Sequence, residues 1–125
     1  MRIATLGPKG TFSEEAALIY QQRMTGRTEP EKIDFFSIPE CLQRVESYLA
    51  ERAVLPAENM VDGIIGITFD SLIEFHDFVK VCDEVHVKIK YVLCGQMESL
   101  DQVDKVFSHP SALNQCVHNL EKLLP

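Results

Sequence analysis

The chain has no apolar stretch near the length that crosses a bilayer, and the apolar part of MRIATLGPKG is too short for a signal peptide. No membrane association is therefore expected, and the chain is expected in the cytoplasm. Positive charge is also in deficit. Twelve Lys and Arg against 19 Asp and Glu leave a net charge of −7, which argues against nucleic acid and anionic lipid as partners. An acidic protein can still hold an anion where the local arrangement suits it. Four cysteines are present (Cys41, Cys82, Cys94 and Cys116), without a C-x-x-C pair and without His at zinc-finger spacing. That predicts reduced thiols in a cytosolic protein and no disulfide framework. G-x-S-x-G and Walker A sequences are missing too, as are repeats and low-complexity tracts. What remains, 125 residues with 46% hydrophobic and 25% charged side chains, has the size and balance of one modest globular domain.

Hydrophobic spacing then orders the elements. Arg2–Leu6 is a short β-prone run. Ser13–Met24 reads as a helix with Phe12, Ala16, Ile19 and Tyr20 near one face, capped either by Thr11 with Glu14 or by Ser13. Thr25–Glu31 is a polar loop and Ile33–Phe36 a second strand. Ser37 and Glu40 form a capping box with Pro39 in the first turn, opening a helix with Ile38, Leu42, Val45 and Leu49 on one face. Ala53–Pro56 reads as a third, fully buried strand, followed by ENMVDG and a helix from Ile64 to Phe75. Strand and helix alternate three times, which predicts an α/β layered fold with a mostly parallel sheet.

Beyond Val79 the pattern changes. Val85, Val87, Ile89, Tyr91 and Leu93 alternate with His86, Lys88, Lys90, Val92 and Cys94, the signature of one long strand or two in sequence. Met97–Asp104 reads as a polar segment with one helical turn capped by Ser99, and Lys105–Phe107 as a short strand. Ser108-His109-Pro110 opens a last helix with Leu113, Val117, Leu120 and Leu124 on one face. Residues 1–80 are expected to form a first lobe. Residues 81–125 supply a crossing strand and the start of a second, with a hinge near Phe78–Val85.

One local design recurs. GPKGT, PAENMVDG and SHPS each join an apolar run to a helix. In open α/β sheets such turns lie at the carboxyl ends of strands, where ligands bind. Helix starts offer N–H groups and a positive dipole end to carboxylates or phosphates. Each turn also has a plain structural reading. Gly7 and Gly10 suit a tight connection, and Lys9 suits a solvated loop. Asn59 suits capping as well as a hydroxyl- or carboxylate-bearing ligand, and Glu58 suits bracing its loop. Ser108 or His109 suits an N-cap. His76, His86 and His118 have no partner pattern, and Cys116 fits packing better than nucleophilic chemistry.

GPKGTFSEEAA, VLPAENMVDGIIGITFDSL and VFSHPSALNQC, in this order, are similar to the catalytic domain of prephenate dehydratase, and the similarity covers nearly the whole chain. It implies a three-layer α/β/α fold of the periplasmic-binding-protein type II kind, with the first lobe nearly complete and the second partial. It also implies decarboxylative dehydration of prephenate to phenylpyruvate in phenylalanine biosynthesis, with no metal or cofactor. Carried over by motif, the implied substrate contacts are Thr11, Phe12, Ser13, Asn59, Met60, Gly63, Ser108 and His109, from all three helix starts facing one cleft. Thr68, Asp70, Gln115 and Cys116 match the following helices.

The departures matter as well. Met60 stands where the family motif has serine, Asp62 where it has glutamate, and Ile64 where it has a small polar residue. No T-R-F, the segment whose threonine the family uses as general acid, occurs in these residues, so no catalytic residue is assigned. The resemblance therefore predicts a chain that is catalytically incomplete by itself, lacking the return strand, most of the second lobe and the phenylalanine-sensing ACT domain. The alternatives are a prephenate decarboxylase-like enzyme and a non-catalytic small-anion binding module. Prephenate and arogenate both stay open as substrate. Apolar surface near Leu120, Leu123 and Leu124 predicts a homodimer or higher homo-oligomer.

Overall fold

The computed structural model describes residues 1–27 and 32–124, so the predicted loop at Thr25–Glu31 lies partly outside the described residues. Contacts divide the chain into two compact units. One is Met1–Asn59 with Gly63–Lys88; the other is Met60–Asp62 with Ile89–Pro125.

The first unit is built on three parallel strands, β1 (Arg2–Leu6), β2 (Lys32–Phe36) and β3 (Arg52–Val54), in the order β2-β1-β3. The central strand is dark to solvent: Ile3, Ala4 and Thr5 are all 0% exposed. Its alternating side chains seed two cores. Ile3 packs with Ala17 and Tyr20 of α1 (Phe12–Thr25), joined by Ile33 and Val54. Ala4 packs with Cys41 of α2 (Ile38–Glu46) and Ala50, joined by Phe36 and Ala53. Helices α1 and α2 thus cover opposite faces, giving the three layers. Right-handed crossovers require this, because β1 to β2 moves one way along the sheet and β2 to β3 moves back past it. α3 (Gly66–Glu74) packs on α2.

Several sequence expectations change here. The buried stripe of α1 is Ala17, Tyr20 and Gln21, one position round from Ala16 and Ile19. Leu49 leaves the face of α2 because the helix stops at Glu46 and Tyr48 turns into the left-handed region, φ 59°. Arg52–Val54 is an edge strand, not a fully buried one, with Arg52 exposed and Ala53 and Val54 half-buried. ENMVDG folds as a small antiparallel hairpin, β4 (Glu58–Asn59) with β5 (Gly63–Ile64), so the next helix starts at Gly66 rather than Ile64. The capping box forms as spaced. The Glu40 carboxylate accepts from the Ser37 N–H at 2.9 Å and its hydroxyl at 2.6 Å, which holds that carboxyl below its ordinary pKa.

The long strand over Val79–Cys94 does not form. Its burial alternates with period two from Val85 to Lys90, but among the described residues no segment hydrogen-bonds to it as a ladder. A strand is a property of two paired segments, and periodicity reports only one of them. Lys105–Phe107 is likewise not a strand.

The second unit holds a single 3₁₀ turn, Leu100–Gln102, whose cap Ser99 accepts from the Asp101 N–H, and α4 (Pro110–Leu123). None of its described residues is buried. Leu123 is exposed, and Leu120 and Leu124 are half-buried. All four cysteines are free thiols. No described helix is long and apolar enough to cross a membrane.

Candidate functional site

In the first unit, strand order reverses between β1 and β3. The turn after β1 and the loop after β3 therefore leave the same end of the sheet on either side of a topological switch point, the usual location of ligands in open α/β folds. A buried residue the sequence reading passed over ties the two together. The Thr5 hydroxyl donates to the Val54 carbonyl of β3 at 2.7 Å and lies 3.3 Å from the Ser13 carbonyl of α1. A threonine in an apolar strand is its signal in the sequence, because a β-branched residue that carries a hydroxyl must find an acceptor when buried.

The β1 turn is shaped by its glycines. A Cβ on Gly7 would lie 3.2 Å from the Phe35 Cβ, and Gly10 sits at φ +87°. Gly7 N–H donates to the Phe36 carbonyl at 3.1 Å, tying the turn to β2. Thr11 occupies the N-cap position of α1, but its side chain makes no capping bond. Glu14 reaches one residue farther back than a capping box would, to the Gly10 N–H at 2.6 Å. The Thr11 Oγ1 atom is left buried without a hydrogen-bond partner among the described residues. An unsatisfied buried hydroxyl costs on the order of 1–3 kcal/mol. Phe12 and Ser13 follow, both half-buried in the first turn.

Past β3, Asn59 ends β4 half-buried, and Gly63 opens β5 at φ +77°, a conformation that suits glycine. Two bonds brace this loop: Ile65 N–H to the Ala57 carbonyl at 2.8 Å, and the Thr68 hydroxyl to the Pro56 carbonyl at 2.7 Å. Thr68 is 2% exposed, so the first turn of α3 is anchored through a satisfied polar group.

The second unit holds the remaining expected residues. Met60 is fully exposed and Ser108 is exposed. His109 is the N-cap of α4, its Nδ1 accepting from the Ser111 N–H at 3.3 Å, with Pro110 in the first turn. The Ser111 hydroxyl donates to Asp62 and also accepts from Gln115 Nε2 at 3.2 Å. The start of α4 therefore already carries an internal carboxylate, which the spacing of SHPSALNQC did not reveal. Among the described residues no group of three or more His, Cys, Asp or Glu side chains is placed to hold a metal ion. Cys41, buried against β1, is pushed up to about 12 by desolvation and is an inert thiol at neutral pH.

Comparison with known proteins gives these turns a context. The family model described as Prephenate dehydratase matches residues 3–125. The chain is 34% identical over its whole length to the bifunctional chorismate mutase/prephenate dehydratase of Aquifex aeolicus, covering 33% of that protein. It is 34% identical over 92% of its length to the prephenate dehydratase of Methanocaldococcus jannaschii, covering 40% of it. It is 33% identical over 98% of its length to arogenate dehydratase/prephenate dehydratase 1 of Arabidopsis thaliana, covering 30% of it. No solved structure matches the chain significantly. The chain thus spans about a third of the length of the curated relatives it first matches. With a family match running from Ile3 to the last residue, the chain belongs to the prephenate dehydratase family.

Proposed function

We propose that this chain binds prephenate and serves its conversion to phenylpyruvate, carbon dioxide and water, in the cytoplasm and as a homo-oligomer. The reaction breaks the bond to the ring carboxylate and the bond to the ring hydroxyl, and aromatisation drives it. A protein serving it must fix a dianion, orient the ring and stabilise the departing hydroxide. In the first unit these roles fall to Thr11, Phe12 and Ser13 at the start of α1 and to Asn59 and Gly63 of the hairpin. In the second they fall to Met60, Ser108 and His109. No residue here is assigned as the proton donor. Arogenate, which appears in the names of several relatives, shares the ring hydroxyl and carboxylate and is the competing substrate.

The observation that supports this reading is the Thr11 hydroxyl, buried at a helix start and without a partner among the described residues. A bound carboxylate or hydroxyl supplies the missing hydrogen bond. Calorimetric titration with prephenate tests it. Thr11→Val is expected to weaken binding about tenfold or more, the worth of one hydrogen bond to a charged group. Thr11→Ser keeps the hydroxyl and is expected to restore binding. Because Thr11→Val removes an unsatisfied group, its thermal stability should not fall. Equal affinity of wild type and Thr11→Val would overturn the assignment. Prephenate bound without turnover favours a binding module, and a non-aromatic product favours a decarboxylase.

A further inference from the structure

The unpaired Thr11 hydroxyl needs a physical cause. An N-cap threonine ordinarily accepts from the N–H two or three residues on, and here that bond is not made. Two fixed points flank it. On one side the Glu14 carboxylate accepts from the Gly10 N–H at 2.6 Å, which holds the backbone just before Thr11. On the other, the Thr5 hydroxyl donates to the Ser13 carbonyl at 3.3 Å. A peptide is a rigid plane, so the Ser13 carbonyl and the Glu14 N–H turn together. Through that carbonyl Thr5 therefore holds the same peptide whose N–H a capping Thr11 needs. Thr5 is itself fixed: it is 0% exposed, and its hydroxyl donates to the Val54 carbonyl of β3 at 2.7 Å. One hydroxyl carries one proton, so the two carbonyls share it, with Val54 as the nearer acceptor.

We propose that Thr5 is a positioning residue for ligand binding. By fixing the peptide between Ser13 and Glu14 it keeps the Thr11 hydroxyl from capping its own helix. That hydroxyl is then left for a carboxylate or hydroxyl of the ligand. In binding, this role rests on the reading of Thr11 as a ligand contact. Without the Thr5 hydroxyl, the peptide is free to tilt and Thr11 caps the Glu14 N–H. A ligand must then break that bond before it makes its own, so the site is no longer preorganised. The cost of keeping Thr11 unpaired is offset inside the sheet, where the Thr5 hydroxyl gives the Val54 carbonyl a donor in a place closed to water.

A double-mutant cycle between Thr5→Val and Thr11→Val tests this in the full chain. Its first arm is thermal unfolding without ligand. In the wild-type background Thr11→Val removes an unsatisfied hydroxyl and is expected to raise the melting temperature by about 3 °C or more. In the Thr5→Val background the Thr11 hydroxyl caps α1, so the same substitution should lower it by about 3 °C. A Thr5 that only joined two elements would leave the Thr11→Val shift equal in sign and size in both backgrounds, and that result overturns the proposal. Thr5→Ser keeps the donor and should keep the rise. Where Thr5→Val does not fold, Thr5→Cys closes the same cycle with a thiol that packs as an apolar group and donates only weakly. The second arm is calorimetric titration with prephenate. Thr5→Val should weaken binding about tenfold in the wild-type background and less than about twofold in the Thr11→Val background. A tenfold loss in both backgrounds, or in neither, overturns the role in binding. Equal affinity of wild type and Thr11→Val removes Thr11 as a contact instead, and the unfolding arm still decides what Thr5 does to the turn.

Discussion

The two units are built to different standards. In the first, a three-residue stretch of one central strand is fully excluded from water, and each of its faces is covered by a helix. In the second, a 14-residue helix with a regular apolar face buries no residue at all. Leu42 and Leu113 lie on similarly spaced stripes, yet only Leu42, at 1% exposure, has material on every side. An amphipathic face is therefore a request for a partner and not a core. The first unit answers the request for α1 and α2 with two consecutive β–α–β crossovers. Among the described residues the second has one helix, one 3₁₀ turn and no strand, and its residues Met60–Asp62 form the turn of the hairpin.

The contrast can be broken most directly by amide exchange. Protection along β1 is expected to exceed that along α4 by at least about a hundredfold, since exchange tracks local opening and α4 lacks buried anchors. Comparable protection would mean that α4 is held by packing not visible in its burial. Next in size is core truncation. Leu42→Ala should cost about 3 kcal/mol in urea unfolding, and Leu113→Ala about 1 kcal/mol or less. Equal losses would erase the distinction. Hydroxyl removal gives a smaller, matched pair. Thr5→Val strips the Val54 carbonyl of its donor inside the core and should cost about 2 kcal/mol. Ser111→Ala, whose partner Asp62 is exposed, should change stability by about 0.5 kcal/mol or less.

The smallest effect is electrostatic. The Glu40 carboxyl is held below its ordinary pKa by the Ser37 hydroxyl and N–H, so its contribution is fully present above the ordinary carboxylate range. It is lost as pH falls through the lowered folded-state value. Glu40→Gln should therefore lower the melting temperature at neutral pH, with the difference from wild type vanishing in acid. A difference that persists unchanged in acid would show that the substitution acts through something other than the carboxylate charge.

Much of the first unit was legible. Period-3.6 spacing and the Ser37–Glu40 box placed α2, and the alternation of strand and helix announced a parallel sheet. Ser99 caps where the spacing put it, and of Ser108 and His109, between which the spacing left the cap of α4 open, His109 takes it. The errors share one cause. Whether Arg52–Val54 is central or at an edge, and whether Val79–Cys94 is a strand, depends on what lies beside them, and hydrophobic spacing describes a segment alone. The same holds at the site. GPKGTFS marked a helix start, but Thr11 as an unsatisfied cap depends on Glu14 reaching Gly10 instead. SHPSALNQC marked another start, but Asp62 at its mouth comes from 49 residues away.

By itself the sequence determined which segments are helices, the caps at Ser37 and Ser99, and the ordered motifs that place the chain in the prephenate dehydratase family. These are local matters, decided by spacing, side-chain capping and residue identity within a few turns. Only tertiary structure decided that β1 is the centre of the sheet, that Thr5 joins α1 to β3, and that the Thr11 hydroxyl is buried without a partner among the described residues. Burial and hydrogen-bond satisfaction are set by neighbours distant in the chain, so no local pattern can carry them.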